Sequence, residues 1–251
     1  MSIKVLITRP EAQSKQLAFL LEQQGIAHMS QPLFDYQNNT TLTEVKNGLE
    51  QTDIIIFVST AAVTFAQRAY PLFPTVNKLK IKVVAVGQAT KKALLALGFT
   101  DVLVPEQENS EGVLRLELLQ KIKHQHITIV RGNGGREHLA TNLTQRGAQI
   151  CYIESYRRIW RPLAKNSSER WQAQQINCIL VTSNDILMAL IKLLRGEQDQ
   201  LPDYWRHDCV WVVVSSRIEN NAKSSGIIKV VNSHGANATL LTATLNTLTV
   251  N

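Results

Sequence analysis

Short unbroken runs of apolar residues alternate along the chain with segments whose apolar residues recur every three or four positions. The first kind reads as strands and the second as amphipathic helices. Ile3–Thr8 predicts a strand, and Glu11–Gln24, with Leu17, Leu20 and Leu21 on one face, predicts a helix that stops at Gly25. Asp53–Ser59 (DIIIFVS) is almost wholly apolar, as a parallel strand covered on both faces must be. A short helix over Ala61–Ala69, a strand over Ile81–Gly87, a helix over Ala89–Leu97, a short strand over Asp101–Val104 and a helix over Glu111–Lys121 follow. The alternation then restarts. His126–Arg131, Ala148–Tyr152 (continuing toward Tyr156), Asn177–Ser183, Cys209–Ser215 and Ile227–Val231 read as strands. Helices over Arg136–Arg146, Asp185–Leu194, Arg217–Ser225 and Ala238–Asn246 accompany them. Strands separated by helices of about 10–15 residues argue for βαβ units and a parallel sheet, and the restart argues for two such units.

The two runs can be placed in register. Arg9, Leu17 and Gly25 have the spacing of Arg131, Leu139 and Gly147, an offset of 122. Asp53–Ser59 matches Asn177–Ser183 at an offset of 124, and Gly87 and Gly98 match Ser215 and Gly226 at 128. This points to an internal duplication with small insertions. Asp35–Thr41 and Tyr156–Ser168 lack clean periodicity and are candidate crossings between domains.

Composition narrows the partners. The 251 residues carry a formal net charge of +7, which favours encounter with anions without saying which. The basic residues are scattered rather than clustered, which argues against nucleic acid and leaves a polycarboxylate or phosphate metabolite. Cys151, Cys178 and Cys209 have no metal or disulfide spacing and read as buried reduced thiols of a cytoplasmic protein. No signal segment is expected ahead of the first strand, and no apolar run reaches the ~18 residues of a membrane span.

Ligands of open parallel sheets sit beyond the carboxyl ends of the strands. Those ends carry Thr8 and Arg9, Ser59, Gly87 with Thr90, Arg131-Gly132-Asn133-Gly134-Gly135-Arg136, Ser183, and Ser215-Ser216. Hydroxyls, glycines and arginines dominate; there is no carboxylate pair, histidine cluster, nucleophile elbow or metal-ligand spacing. Helix N-termini offer unpaired N–H groups and partial positive charge, and small residues let an anion approach them. RGNGGR is the clearest case, its Arg131 and Arg136 each able to fork onto a carboxylate or phosphate. A plain strand-to-helix turn with solvent-facing arginines is the other reading. Tyr156, just past a strand, is either a proton donor or a half-buried tyrosine of a crossing segment.

Six stretches, in order over nearly the whole chain, resemble the uroporphyrinogen-III synthase family. They are Val5–Gly25 with its TRP, Pro32-Leu33-Phe34, FVSTAAV (Phe57–Val63), AVGQATKKAL (Ala85–Leu94), VRGNGGREHLATNLTQRGA (Val130–Ala148) and ESYRR (Glu154–Arg158). The resemblance implies two doubly wound α/β domains of flavodoxin or Rossmann type joined by a two-stranded linker. One would be discontinuous, 1–36 plus 160–251; the other would span 39–155, with linkers near 36–39 and 155–160. It implies a monomeric cytoplasmic enzyme that binds a linear tetrapyrrole polycarboxylate, hydroxymethylbilane, and closes it to uroporphyrinogen III with loss of water. No cofactor, metal, nucleic acid or membrane would be involved. Tyr156 would be the candidate general acid. Thr8, Arg9, Ser59, Gly87, Thr90, Arg131, Gly132, Gly135, Arg136, Ser183, Ser215 and Ser216 would bind substrate. Thr90 matches a family threonine, whereas its C-terminal counterpart is Ile218, so backbone amides or Ser215 and Ser216 would supply those contacts. Two alternatives stand beside this: a non-catalytic two-lobe module for small anions, and a nucleotide-dependent transferase, which lacks its GxGxxG.

Overall fold

The structure is a computed structural model that describes residues 3–134 and 137–249. The chain divides into two compact units, Met1–Asp35 with Trp160–Asn251 (unit 1) and Tyr36–Ile159 (unit 2).

Unit 1 is built on a five-stranded sheet of β1 (Lys4–Ile7), β2 (Ala27–Ser30), β9 (Cys178–Val181), β10 (Val210–Val213) and β11 (Val230–Asn232), in the order β11-β10-β9-β1-β2. All its ladders are parallel. One face packs Val5, Ile7, Cys178, Leu180 and Val212 against Leu17 and Leu21 of α1 (Glu11–Gln23) and Leu241 and Leu245 of α11 (Ala238–Thr249). The alternate residues Leu6, Ile179, Trp211 and Val213 are also fully buried, with α9 (Asn184–Arg195) and α10 (Ser216–Ser224) packed on β9 and β10. Burial of both parities is why these strands read as unbroken apolar runs.

Unit 2 holds β3 (Phe34–Asn38), β4 (Ile54–Phe57), β5 (Lys82–Ala85), β6 (Val102–Leu103), β7 (His126–Gly132) and β8 (Gln149–Trp160), in the order β3-β8-β7-β4-β5-β6. The ladders from β4 to β8 are parallel. The edge strand β3 runs antiparallel to β8: Asn39 donates its N–H to Ser155 and Arg161 donates its own to Leu33. Ile55, Phe57, Val83, Val130 and Ile153 face α2 (Leu42–Glu50), α3 (Thr60–Ala69), α4 (Leu72–Lys78) and α5 (Gln88–Leu95). Ile54, Ile56, Val84, Ile127 and Ile129 face α6 (Ser110–Arg115) and α7 (His138–Gln145). The chain passes between the units at 35/36, inside β3, and at 159/160, inside β8.

The duplication seen in the sequence is present in the topology. β9, β10 and β11 stand where β4, β5 and β6 stand, and β1 and β2 where β7 and β8 stand. The registers agree as well: Lys4 pairs with Ala27, and His126, 122 positions later, pairs with Gln149. In each unit the strand order reverses at one point, between β9 and β1 and between β4 and β7. Sheets of this kind bind ligands at that point, outside the carboxyl ends.

Two expectations need correction. Cys151 is exposed, unlike the buried Cys178 and Cys209. It lies on the first half of β8, before β3 begins to pair, so that stretch has β7 on one side only. The segments without periodicity are also more regular than their composition suggests. β3 and a twelve-residue β8 occupy much of both, and the predicted strand from Ala148 runs on to Trp160.

Candidate functional site

At the reversal point of unit 2, β4 leads through Val58 to Ser59, the N-cap of α3, whose hydroxyl oxygen accepts from the Ala62 N–H at 3.1 Å. β7 ends in Arg131-Gly132, and β8 brings Tyr156 alongside. The Tyr156 hydroxyl lies 3.3 Å from Ser59 Oγ. Its ring is 5% exposed and packs edge-on to Tyr36 at 4.8 Å and tilted against Phe65 at 5.8 Å. Tyr156 is therefore a core residue with its polar tip held by a helix cap, not a half-buried tyrosine of a crossing segment.

Strand geometry alone would put this phenol elsewhere. Side chains alternate faces along a strand. Ile150 and Tyr152 pack on the α6/α7 face and Ile153 on the opposite face, so counting by twos would place residue 156 with Tyr152. The ladder slips between Arg131, paired with Glu154, and Gly132, paired with Tyr156, leaving Ser155 as an extra residue. This bulge moves Tyr156 to the Ile153 face, a re-aiming that bulges near functional sites perform. Gly132 is required by the same packing, because a Cβ there would lie 2.5 Å from Tyr156 Cε2.

The arginine-glycine turn is filled by the protein's own carboxylates. Arg131 donates to Glu137 at 2.9 Å and to Glu154 at 3.1 Å, and its guanidinium stacks on the Tyr152 ring at 3.7 Å. Gly134 donates its N–H to the same Glu154 oxygen at 3.2 Å. The Tyr152 hydroxyl donates to Glu137. That bond and Arg131 hold the Glu137 carboxyl below its ordinary range, while burial first and then Glu137 push the Tyr152 phenol up to about 12. The Arg131 side chain is only 12% exposed, so its fork is turned inward rather than offered to solvent. Gly135 and Arg136 lie outside the described residues. Gly87 caps α5 with extended backbone, and the Glu108 carboxylate lies so close that a Cβ at 87 would sit 2.3 Å from its oxygen. Thr90, in the first turn of α5, is 5% exposed.

The strand ends of unit 1 present the remaining candidates. Thr8 is fully buried, and its hydroxyl donates to the Leu180 carbonyl at 2.6 Å across the β1–β9 reversal point. Arg9 reaches the Ala236 carbonyl at 3.1 Å. Ser183 caps α9 by accepting from the Ile186 N–H at 3.2 Å. Ser215 stands at the N-cap of α10 in extended backbone, and Ser216 begins the helix, 3.5 Å from Asn232 Nδ2. Ile218, three residues past the cap as Thr90 is past Gly87, is 2% exposed. In both repeats the side chain at this position is buried in the first helical turn.

Sequence reasoning missed Ser155, Glu137, Tyr152 and Tyr36, and it did not connect Glu154, which opens the ESYRR stretch, with Arg131, because the partners lie on separate elements. Among the described residues no group of His, Cys, Asp and Glu side chains is placed to hold a metal ion, and no helix is long and apolar enough to cross a membrane.

A family model described as uroporphyrinogen-III synthase HemD matches residues 15–242. The chain is 30% identical over 238 residues to the uroporphyrinogen-III synthase of Escherichia coli (strain K12), covering 89% of this chain and 92% of that protein. It is also 30% identical over 236 residues to the Salmonella typhimurium enzyme of the same name, again covering 89% and 92%. Among solved structures, a mutant uroporphyrinogen III synthase from the extremely thermophilic bacterium Thermus thermophilus superposes with a TM-score of 0.69 at 13% identity, over 99% of this chain and 100% of that one. The Helicobacter pylori 26695 synthetase gives 0.63 at 12% identity over the whole of both chains. At those identities the structural likeness speaks for the fold.

Proposed function

Because this chain belongs to the uroporphyrinogen-III synthase family, whose members are enzymes of tetrapyrrole synthesis, we propose that it cyclises hydroxymethylbilane to uroporphyrinogen III. The observation that carries this reading is the family match itself, which spans residues of both units. The reaction breaks one carbon–oxygen bond and releases water, which makes the enzyme a lyase. A proton reaches the terminal hydroxyl, water departs, and the first pyrrole is left as an electrophilic azafulvene. The substituted carbon of the last pyrrole attacks it, and a spiro intermediate fragments and recloses with that ring inverted. The final loss of a ring proton restores aromaticity and balances the proton consumed at the start.

Tyr156 is the proposed proton donor. Its support is the 3.3 Å contact with Ser59, whose other lone pair is engaged by the α3 N-terminus. A hydroxyl so held can turn its own hydrogen toward the phenolate that remains after proton transfer, at the positive end of a helix. A phenol so placed can pass its proton to the departing hydroxyl as the carbon–oxygen bond breaks. The substrate carboxylates are assigned to peptide N–H groups and hydroxyls at the strand ends, with Ser59, Gly87, Ser183, Ser215 and Ser216 the nearest candidates. Arg131, Thr8 and Gly132 are assigned to holding that rim in shape. The enzyme is taken to act as a cytoplasmic monomer with no nucleic acid partner, its positive charge drawing in an eight-carboxylate substrate.

The test is an isomer assay. Purified protein supplied with freshly made hydroxymethylbilane should yield the III isomer. Product consisting only of the I isomer, which forms without inversion, would refute the assignment and favour a non-catalytic anion-binding module.

A further inference from the structure

Ser155 has no role in the chemistry just described, yet it is fully buried beside the proposed acid. It is the extra residue of the bulge. Its hydroxyl hydrogen is shared between the carbonyls of Ala62, in α3, and Arg131, on β7, both at 3.2 Å. Its own carbonyl accepts from the Asn39 N–H at 3.1 Å, and the next carbonyl, that of Tyr156, accepts from Asn133 at 2.7 Å. A closed circuit results. Ser155 donates to the Ala62 carbonyl, the Ala62 N–H donates to Ser59, and Ser59 meets the Tyr156 hydroxyl, whose backbone adjoins Ser155. The same seryl group thus ties the strand that carries the phenol to the helix turn that carries the phenol's partner. Hydrogen-bonded chains of this kind fix geometry more firmly than their separate links.

We propose that Ser155 is a positioning residue for the cyclisation, setting the distance between the Tyr156 hydroxyl and Ser59 through the bulge and its shared hydrogen bond. The inference rests on the reading of Tyr156 as the acid. It adds that the acid is aimed by a buried serine that never touches substrate.

Two measurements test it and separate its failure from that of the acid assignment. In the first, 3-fluorotyrosine is placed at position 156 and its fluorine resonance followed in the full-length protein with Ser155 and with Ser155→Ala. The resonance should move or broaden on substitution. An unchanged line would overturn the aiming role whatever the activity shows. In the second, single-turnover conversion of hydroxymethylbilane is compared in a cycle of Ser155→Ala and Tyr156→Phe. With Tyr156 present, Ser155→Ala should slow conversion on the order of 10–100-fold and raise the share of I isomer. In the Tyr156→Phe background it should have no further effect. Equal slowing in both backgrounds would mean that Ser155 acts only as scaffold, and the proposal would be wrong. Full activity of Tyr156→Phe alone would remove the acid assignment, leaving the fluorine experiment to decide whether Ser155 sets the ring. Ser155→Cys keeps the size with a weaker donor and should fall between the two. It also carries both comparisons should the alanine variant fail to fold.

Discussion

The two strand-end rims come from one duplicated plan and have been finished differently. Ser59 and Ser183, 124 positions apart, cap α3 and α9 with the same bond to the third helical N–H. The repeat offset of 122 takes Tyr156 to Phe34, Ser155 to Leu33 and Gly132 to Pro10. Unit 2 therefore has a phenol, a buried hydroxyl and a glycine where unit 1 has a phenyl ring, a leucine and a proline. Unit 1 turns Thr8 into a strand-to-strand tie, and its polar end atoms are largely bonded to its own backbone. Identical sheet ends supply anion-friendly amides in both copies, but a proton donor in one.

The sharpest way to break this contrast is to make unit 2 resemble unit 1. Tyr156→Phe, which reproduces Phe34, should lower the single-turnover rate by about 10²–10⁴-fold, the ordinary worth of a general acid, with the fold intact by circular dichroism. Ser183→Ala in unit 1, which loses a carboxylate contact but no proton donor, should weaken substrate binding while leaving the saturated single-turnover rate nearly unchanged. Equal losses would erase the distinction. Gly132→Ala comes next. With a Cβ 2.5 Å from the Tyr156 ring, it should cost about 1–3 kcal/mol in urea unfolding and slow conversion as the ring is displaced. Ser59→Ala and Ser183→Ala should each cost about 1 kcal/mol as lost caps, while only Ser59→Ala lowers the saturated single-turnover rate.

A smaller effect separates the units by pH. Burial pushes the Cys178 thiol of unit 1 from 9.0 up to about 12, and Cys209 is raised as well. Tyr152 of unit 2 is raised from 10.0 to about 12. In each case the folded state holds its proton more tightly than the unfolded chain. The stabilisation is whole below the unfolded value and is lost as pH rises toward the folded one. Unit 1 should thus begin to weaken above about pH 9 and unit 2 above about pH 10. All four tryptophans lie in unit 1, so their fluorescence in urea titrations follows that unit alone. Cys178→Ala should flatten its alkaline decline; an unaltered curve would show that the thiol does not contribute.

Much of the fold was legible because strands buried on both faces have no choice but to be apolar. IIIF at 54–57 and CILV at 178–181 could be nothing else. The repeat pointed to two units of one plan, but the order of strands within each sheet came only with the structure. What escaped is where tertiary context overrides pattern. FDYQN at 34–38 is too polar to announce a strand and is held there by β8. Of the site, the glycine turn and the cap serines follow from local rules at strand ends. The bulge does not, because it depends on which residue of β8 faces Gly132, a matter of pairing between distant segments. The inward commitment of Arg131 was equally hidden, since Glu137 and Glu154 are ordinary surface acids until the turn folds around them.

The place of β1 in its sheet bears on how the protein is born. Val5 pairs with Cys178 on one side and His28 on the other, so this interior strand of unit 1 leaves the ribosome long before one of its neighbours exists. The intervening 36–159 segment is a compact body in its own right and can fold while synthesis continues, shortening the effective loop that separates β1 from β9. Until then an apolar, unpaired edge stands open on the nascent chain. Conditions that stall translation within the last third should expose that edge to chaperones, or to its like on neighbouring chains.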